Sequence, residues 1–231
     1  MRTPRVSIFM FSSVLAVVVA FTVQDSFDVK VSDPNLLSYT SVQRELKMSA
    51  QQVTDVSQAE ARYKDHAKQT NRFNSDDERK EVLRFLDGGQ LKRLREISLQ
   101  TAGPIVLLAD FVAERVGADK AKQRELHQAL DSVVKEVTKP MEEEISKMAN
   151  DLMRGVGDDP AKAEIKGKEV DKQANRISAK YNDRINDAVE TKAPVRILAV
   201  LTRAQSQTWT DLLGRPFPVK QFRKNFWSDE R

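Results

Sequence analysis

Four short segments of this chain each mark the start of a helix. They are Met48-Ser49-Ala50-Gln51-Gln52, Leu86-Asp87-Gly88-Gly89-Gln90, Ala118-Asp119-Lys120-Ala121-Lys122-Gln123 and Leu201-Thr202-Arg203-Ala204-Gln205. A Ser, Thr or Asp followed three residues later by Gln is a capping box. The first side chain accepts from the N3 amide, and the Gln reaches back to the N-cap amide. An apolar residue before the cap staples the chain onto the helix, a role open to Met48, Leu86 and Leu201. In the third segment one extra residue separates Asp119 from Gln123.

Apolar spacing fills the stretches between the caps with helix. Val53, Val56, Ala59, Tyr63 and Ala67 recur at three and four residues after Ser49, and Asn71 to Asn74 interrupt them. Ser75 with Glu78 reads as a further box, opening a helix through Leu83. Leu91, Leu94, Ile97 and Leu99 line the next segment, which Gly103-Pro104 stops. From Asp119, Leu126, Leu130, Val133, Val137, Met141, Ile145, Met148 and Leu152 form a stripe close to that of a coiled coil. Pro140 lies inside it and should bend the helix near Glu136. Asp159-Pro160 starts the return helix, which carries Val170, Ala174, Ile177, Tyr181 and Ile185 and ends before Pro194. Two such helices, each about 45 Å long, predict an antiparallel hairpin.

Composition agrees with an all-α chain. Charged residues make up 31% and aromatics 6%, with 8 Gly and 8 Pro, which suits long solvated helices. The net charge of +4 comes from 38 Lys+Arg against 34 Asp+Glu with the signs interleaved. A nucleic-acid binder gathers basic charge on one face, so nucleic acid is not an expected partner. The chain has no Cys, hence neither disulfides nor a thiolate metal site.

Residues 1–20 read as a secretory signal peptide. Arg2 and Arg5 precede an apolar run from Val6 to Val23, and Val18-Val19-Ala20 offers a cleavage site after Ala20. An uncleaved anchor is the rival reading, because the run sits at the lower edge of spanning length. Either reading places the rest of the chain outside the cytoplasm. Residues 21–35 then read as a polar linker, 36–104 as a first helical half and 105–217 as a second half holding the long hairpin. Residues 218–231 form a basic-aromatic tail capable of weak membrane contact. The order suggests an internal duplication. Val42 to Leu46 and Val112 to Val116 each open a half, and the caps at Leu86 and Leu201 each close one.

The complete Leu201-Thr202-Arg203-Ala204-Gln205, with Met48 to Gln52 and Leu86 to Gln90, resembles the L-T-x-x-Q motif of Spy/CpxP-type periplasmic proteins. Ser49 and Asp87 stand where that family has Thr. The resemblance implies an all-helical protein of the cell envelope with two Spy-like halves. It also implies a chaperone-like, partner-inhibiting or metal-responsive role. Small relatives form a cradle-shaped dimer. Two halves in one chain would build the cradle internally, so homo-oligomerisation stays open.

No residue set converges as a catalytic site, and no cofactor is expected. The two histidines, His66 and His127, lie among charged residues on helices. His127 and Asp131 share a helix face, a spacing that can seed a metal site, but further ligands are not evident and no metal ligand is assigned. Glu142-Glu143-Glu144 fan out around a helix and read as solvated surface. Met141, Met148 and Met153 read as core packing or as an adaptable binding surface. The expected function is therefore non-enzymatic binding of unfolded or envelope polypeptides in the periplasm. The alternatives are assembly through the long hairpin, or metal sensing.

Overall fold

The computed structural model describes residues 26–70, 75–156 and 160–219. The leader over residues 1–20, the interruption at Asn71 to Asn74, the Asp159 cap and the tail from Lys220 lie outside the described residues. Among the described residues the chain is all-α, without strands. No described helix is long and apolar enough to cross a membrane.

The first half holds α1 (Ser26–Val31), a 3-10 helix (Pro34–Ser38), α2 (Thr40–Glu45), α3 (Ala50–Thr70), α4 (Ser75–Leu83) and α5 (Gly88–Ala102). A second 3-10 helix (Gly103–Leu108) leads into α6 (Asp110–Arg115), α7 (Lys120–Met153), α8 (Pro160–Thr191), α9 (Ala193–Val200) and α10 (Arg203–Leu213). The 34-residue α7 and 32-residue α8 form the antiparallel hairpin, and α7 continues through Pro140.

The reading of residues 21–35 as a polar linker is corrected from Ser26 onward. Those residues form α1 and then the 3-10 helix that Asp33 caps through the Asn35 amide. The cause is apolar anchoring. Phe27 is buried in the second-half core, with Phe111 edge-on at 6.4 Å and the Arg115 guanidinium 5.0 Å over its ring. Between Asp33 and Ser49 the chain forms two short elements, the 3-10 helix and α2.

The backbone bonds that lead into the first long helix recur 70 residues later. Tyr39 N–H donates to Leu36 O at 3.2 Å, as Ala109 does to Val106 O at 3.0 Å. Lys47 N–H donates to Arg44 O and Met48 N–H to Gln43 O, each at 3.0 Å, which closes α2 as a Schellman turn. Gly117 and Ala118 repeat both bonds on Glu114 and Ala113 at 3.0 and 2.9 Å. This turn needs a left-handed residue, supplied by Gly117 (φ 78°) in one half and by Lys47 (φ 52°) in the other.

Two apolar cores result. Leu36, Leu37, Val42, Val82, Leu91 and Leu94 belong to the first, and Leu107, Val112, Leu126, Val133, Ile197 and Trp209 to the second. Helix α5 serves both, since Leu94 and Ile97 enter the first core and Leu99 the second. Every residue from Leu94 to Leu99 is buried, including Arg95, Glu96 and Ser98. The chain ends cross over. Phe27, near the start, packs into the second core, and Phe217, near the end, packs into the first.

The left-handed position gives a paired test. Lys47→Gly should stabilise the protein by up to about 1 kcal/mol, because an L side chain pays roughly that to sit there. Gly117→Ala should destabilise it by about 1 kcal/mol for the same reason. Denaturant midpoints of the two variants measure both.

Candidate functional site

The cap segments do more than start helices. At Ser49 the Gln52 amide donates to Ser49 Oγ at 3.1 Å, and Ser49 N–H donates to Gln52 Oε1 at 3.0 Å. Asp87 and Gln90 repeat this at 2.8 and 3.0 Å, and Thr202 and Gln205 at 3.3 and 3.0 Å. The preceding residues are anchored: Leu86 and Leu201 are buried, and Met48 packs on the first core. A cap of this kind contributes about 1 kcal/mol.

The glutamine amides then cross between caps. Gln52 Nε2 donates to Gln90 Oε1 at 2.7 Å and to Phe85 O at 2.9 Å. Gln90 Nε2 donates to Gln52 Oε1 and to Leu46 O, each at 3.2 Å. Each side-chain oxygen thus closes its own cap and accepts from the other glutamine. Each NH₂ group spends its two hydrogens on the opposite element. Glutamate satisfies an ordinary capping box equally well, but it has no N–H to send across. The cross-tie therefore requires Gln at both positions.

The second half keeps the tie with different atoms. Gln205 Nε2 donates to Gly117 O at 2.9 Å. The partner cap at Asp119 accepts from Lys122 N–H at 2.8 Å, so Lys122, not Gln123, sits at the N3 position. Lys122 Nζ reaches Val200 O at 3.1 Å, the counterpart of the bond from Gln52 to Phe85 O. Gln123, expected to be the cap glutamine, instead donates to Ala118 O at 3.2 Å and accepts from Lys120 Nζ at 2.9 Å. The extra residue moved it round the helix to a buried position.

From these roots the hairpin extends with a thin core. The buried residues of α7 are Gln123, Leu126 and Val133, all toward its start, and those of α8 are Tyr181 and Ala188. Beyond Val133, Met141, Ile145, Met148 and Leu152 stay half-buried, as do Val170, Ala174, Ile177 and Ile185 across from them.

The two sides of this hairpin differ. On one side Glu144 accepts from Lys180 Nζ at 3.2 Å and from the Tyr181 hydroxyl at 3.1 Å. Arg184 stacks 5.0 Å over the Tyr181 ring, and Arg196 pairs with Glu136. A groove of about 480 Å³ opens there beside Pro140, lined by Glu136, Val137, Tyr181, Arg184 and Ala188. Pro140 has no N–H for the Glu136 carbonyl. At 100° per residue, Val134, Thr138, Ile145 and Ala149 of α7 fall on the opposite side. They share it with Gly167, Ala174, Ser178, Ile185 and Val189 of α8, and Asp131, Glu142, Glu164 and Asp171 are among the charges that border it.

Glu144 is thus corrected from solvated surface to a bridge across the hairpin, a role that needed α8 in place to be seen. Glu142 and Glu143 are exposed as expected. Met141 and Met148 are half-buried on the seam, and Met153 is 41% exposed at the hairpin's end. His66, His127 and Asp131 are exposed. Among the described residues no group of three or more His, Cys, Asp or Glu side chains comes together as a metal site.

Comparison with protein-family models, with curated proteins and with solved structures returns no match.

The hydrogen bonds from Lys180 and Tyr181 hold the Glu144 carboxyl below the usual carboxylate range, against a smaller desolvation effect. A carboxylate depressed in the folded state contributes stability above its unfolded pKa and loses it as pH falls through the folded one. The Glu144 carboxyl should therefore titrate below free Glu by NMR, and Lys180→Ala should move its midpoint upward. A midpoint unmoved by Lys180→Ala would remove the bridge.

Proposed function

We propose that this is an exported, non-enzymatic, all-helical protein of the cell envelope that holds unfolded or stress-damaged polypeptides in a chaperone-like way. One observation carries the reading: the hairpin has a half-open apolar seam, with half-buried Ile145 and Ile185 on the flank opposite the Glu144–Lys180 pair. Such a seam offers half-buried apolar side chains to apolar segments of varied sequence. Met141 and Met148 on the seam, with Met153 exposed at the hairpin's end, add side chains that adapt to irregular shapes. The opposite, ion-paired flank stays hydrated. Export rests on the leader-like residues 1–20, and the L-T-x-x-Q resemblance supports the same compartment. We also read the two halves as a duplication, supported by backbone bonds that repeat at a 70-residue offset.

The purified protein, at several-fold molar excess, should suppress aggregation of a denatured client. Ile145→Asp and Ile185→Asp should abolish most of that protection with little change in stability, since both sites are half-buried. Lys180→Ala, on the other flank, should retain it. Undiminished aggregation with the native protein would defeat the reading. A stable oligomer by light scattering without protection would favour the alternative, assembly through the same apolar flank.

A further inference from the structure

The polar side of α5 ties both ends of the described chain to the body, mainly through ion pairs. Arg93 Nε donates to Glu45 Oε1 at 2.9 Å, and Arg93 Nη1 donates to Glu96 Oε2 at 2.7 Å and to Arg215 O at 2.6 Å. Arg215 reaches over to the same Glu45. Arg95 pairs with Asp28 of α1 at 3.4 Å and with Glu96 at 3.6 Å. Arg95 and Glu96 are 6% and 8% exposed. Three carboxylates, Asp28, Glu45 and Glu96, face three guanidiniums, Arg93, Arg95 and Arg215. Their charges cancel only while all the carboxylates are ionised.

The segment held there is the one that leaves α10. Gly214 (φ 61°) turns the chain directly against Glu96, so closely that a Cβ would lie 2.2 Å from Glu96 Cδ. Gln100 supplies the neutral part of the grip. Its Nε2 donates to Leu213 O at 2.6 Å and to Arg215 O at 2.8 Å, and its Oε1 accepts from Phe217 N–H at 2.7 Å. Beyond this grip Phe217 is delivered into the first core.

We propose that this cluster is an acid-opened clasp. Neutralising its carboxylates releases the chain after Gly214 from α5, withdraws Phe217 from the first core and uncovers apolar surface while the helices persist. Protonation leaves the poorly solvated Arg93 and Arg95 guanidiniums without counter-charge and the exposed Arg215 without its anchor, and removing one side of a buried pair costs more than the pair contributed. Burial works against the Glu45 charge, but the Arg215 and Arg93 guanidiniums outweigh it and hold this carboxyl below the usual range. A depressed carboxylate loses its stabilising contribution as pH falls through its folded pKa. The Glu45 link of the clasp therefore holds until the pH falls below the ordinary carboxylate range. The clasp does not depend on the chaperone reading, since it concerns release of a segment of this chain.

Hydrogen exchange of the amides from 213 to 219, read by mass spectrometry and corrected for intrinsic rates, tests it. The protein with native side chains should be protected at neutral pH. In acid, exchange there should rise at least tenfold, with an apolar-surface dye bound and far-UV helix signal retained. The charge-neutral double variant Glu45→Gln/Glu96→Gln should show the same opening at neutral pH. Gln100→Ala, which keeps every charge, should shift the opening of the native cluster to higher pH. If the double variant does not fold, Gln100→Ala decides, and an unmoved midpoint overturns the clasp. A folded double variant that exchanges as slowly as the native protein at neutral pH overturns it. Simultaneous loss of all helix signal in acid does so too.

Discussion

A primary amide has two N–H groups and one oxygen, and this fold uses all of them at the mouth of its first excursion. Gln52 and Gln90 each close a helix start with the oxygen and span to the opposite start with the nitrogen. That arrangement fixes where α3 leaves the body and where α5 re-enters it, 38 residues apart along the chain. Everything between can vary in length without disturbing the roots. The second half shows this, because a far longer hairpin springs from the same geometry, with Lys122 and Gln205 making the ties. A tie of this kind joins contacts distant in sequence and limits the entropy the excursion regains locally.

Much of the architecture was legible from local chemistry. The caps at Asp87 and Thr202 sit where a short polar side chain precedes Gln by three, and such bonds are local enough to read from spacing. The stripe from Leu126 to Leu152 foretold α7, and Pro194 foretold the end of α8. What escaped depended on tertiary partners. Phe27 looks like one apolar residue in a polar stretch until the second core is there to receive it. Lys122 carries no cap signature, because its role is to reach Val200 O with an ammonium group. Arg95 and Glu96 would be placed on a solvated face by composition. They are buried because α1 and the chain after α10 cover α5 from both sides, with Asp28 of α1 pairing with Arg95 and Gly214 lying against Glu96.

The candidate surface emerged only in part from the sequence. The apolar seam was evident, but its two flanks were not told apart. That distinction follows from antiparallel packing. Angular positions that increase past the seam on α7 and on α8 meet on the same side, which gathers Ile145, Thr138, Ser178 and Ile185 together. Glu144, Lys180 and Arg184 collect on the other. A hairpin with few buried residues past its base gains little stability from its own seam. The caps and the shared helix α5 therefore hold the body in shape and leave the hairpin's apolar surface half-open.

The central claim is that the two cap glutamines act as one unit, and a double-mutant cycle measures it directly. Gln52→Ala, Gln90→Ala and the double variant, unfolded in denaturant, should show a coupling energy of about 0.5–3 kcal/mol, as directly bonded neighbours do. Gln90→Glu, which keeps the cap acceptor but loses both N–H donors, should be destabilised relative to the native protein. Additive single-variant losses, with Gln90→Glu as stable as the native protein, would contradict the account.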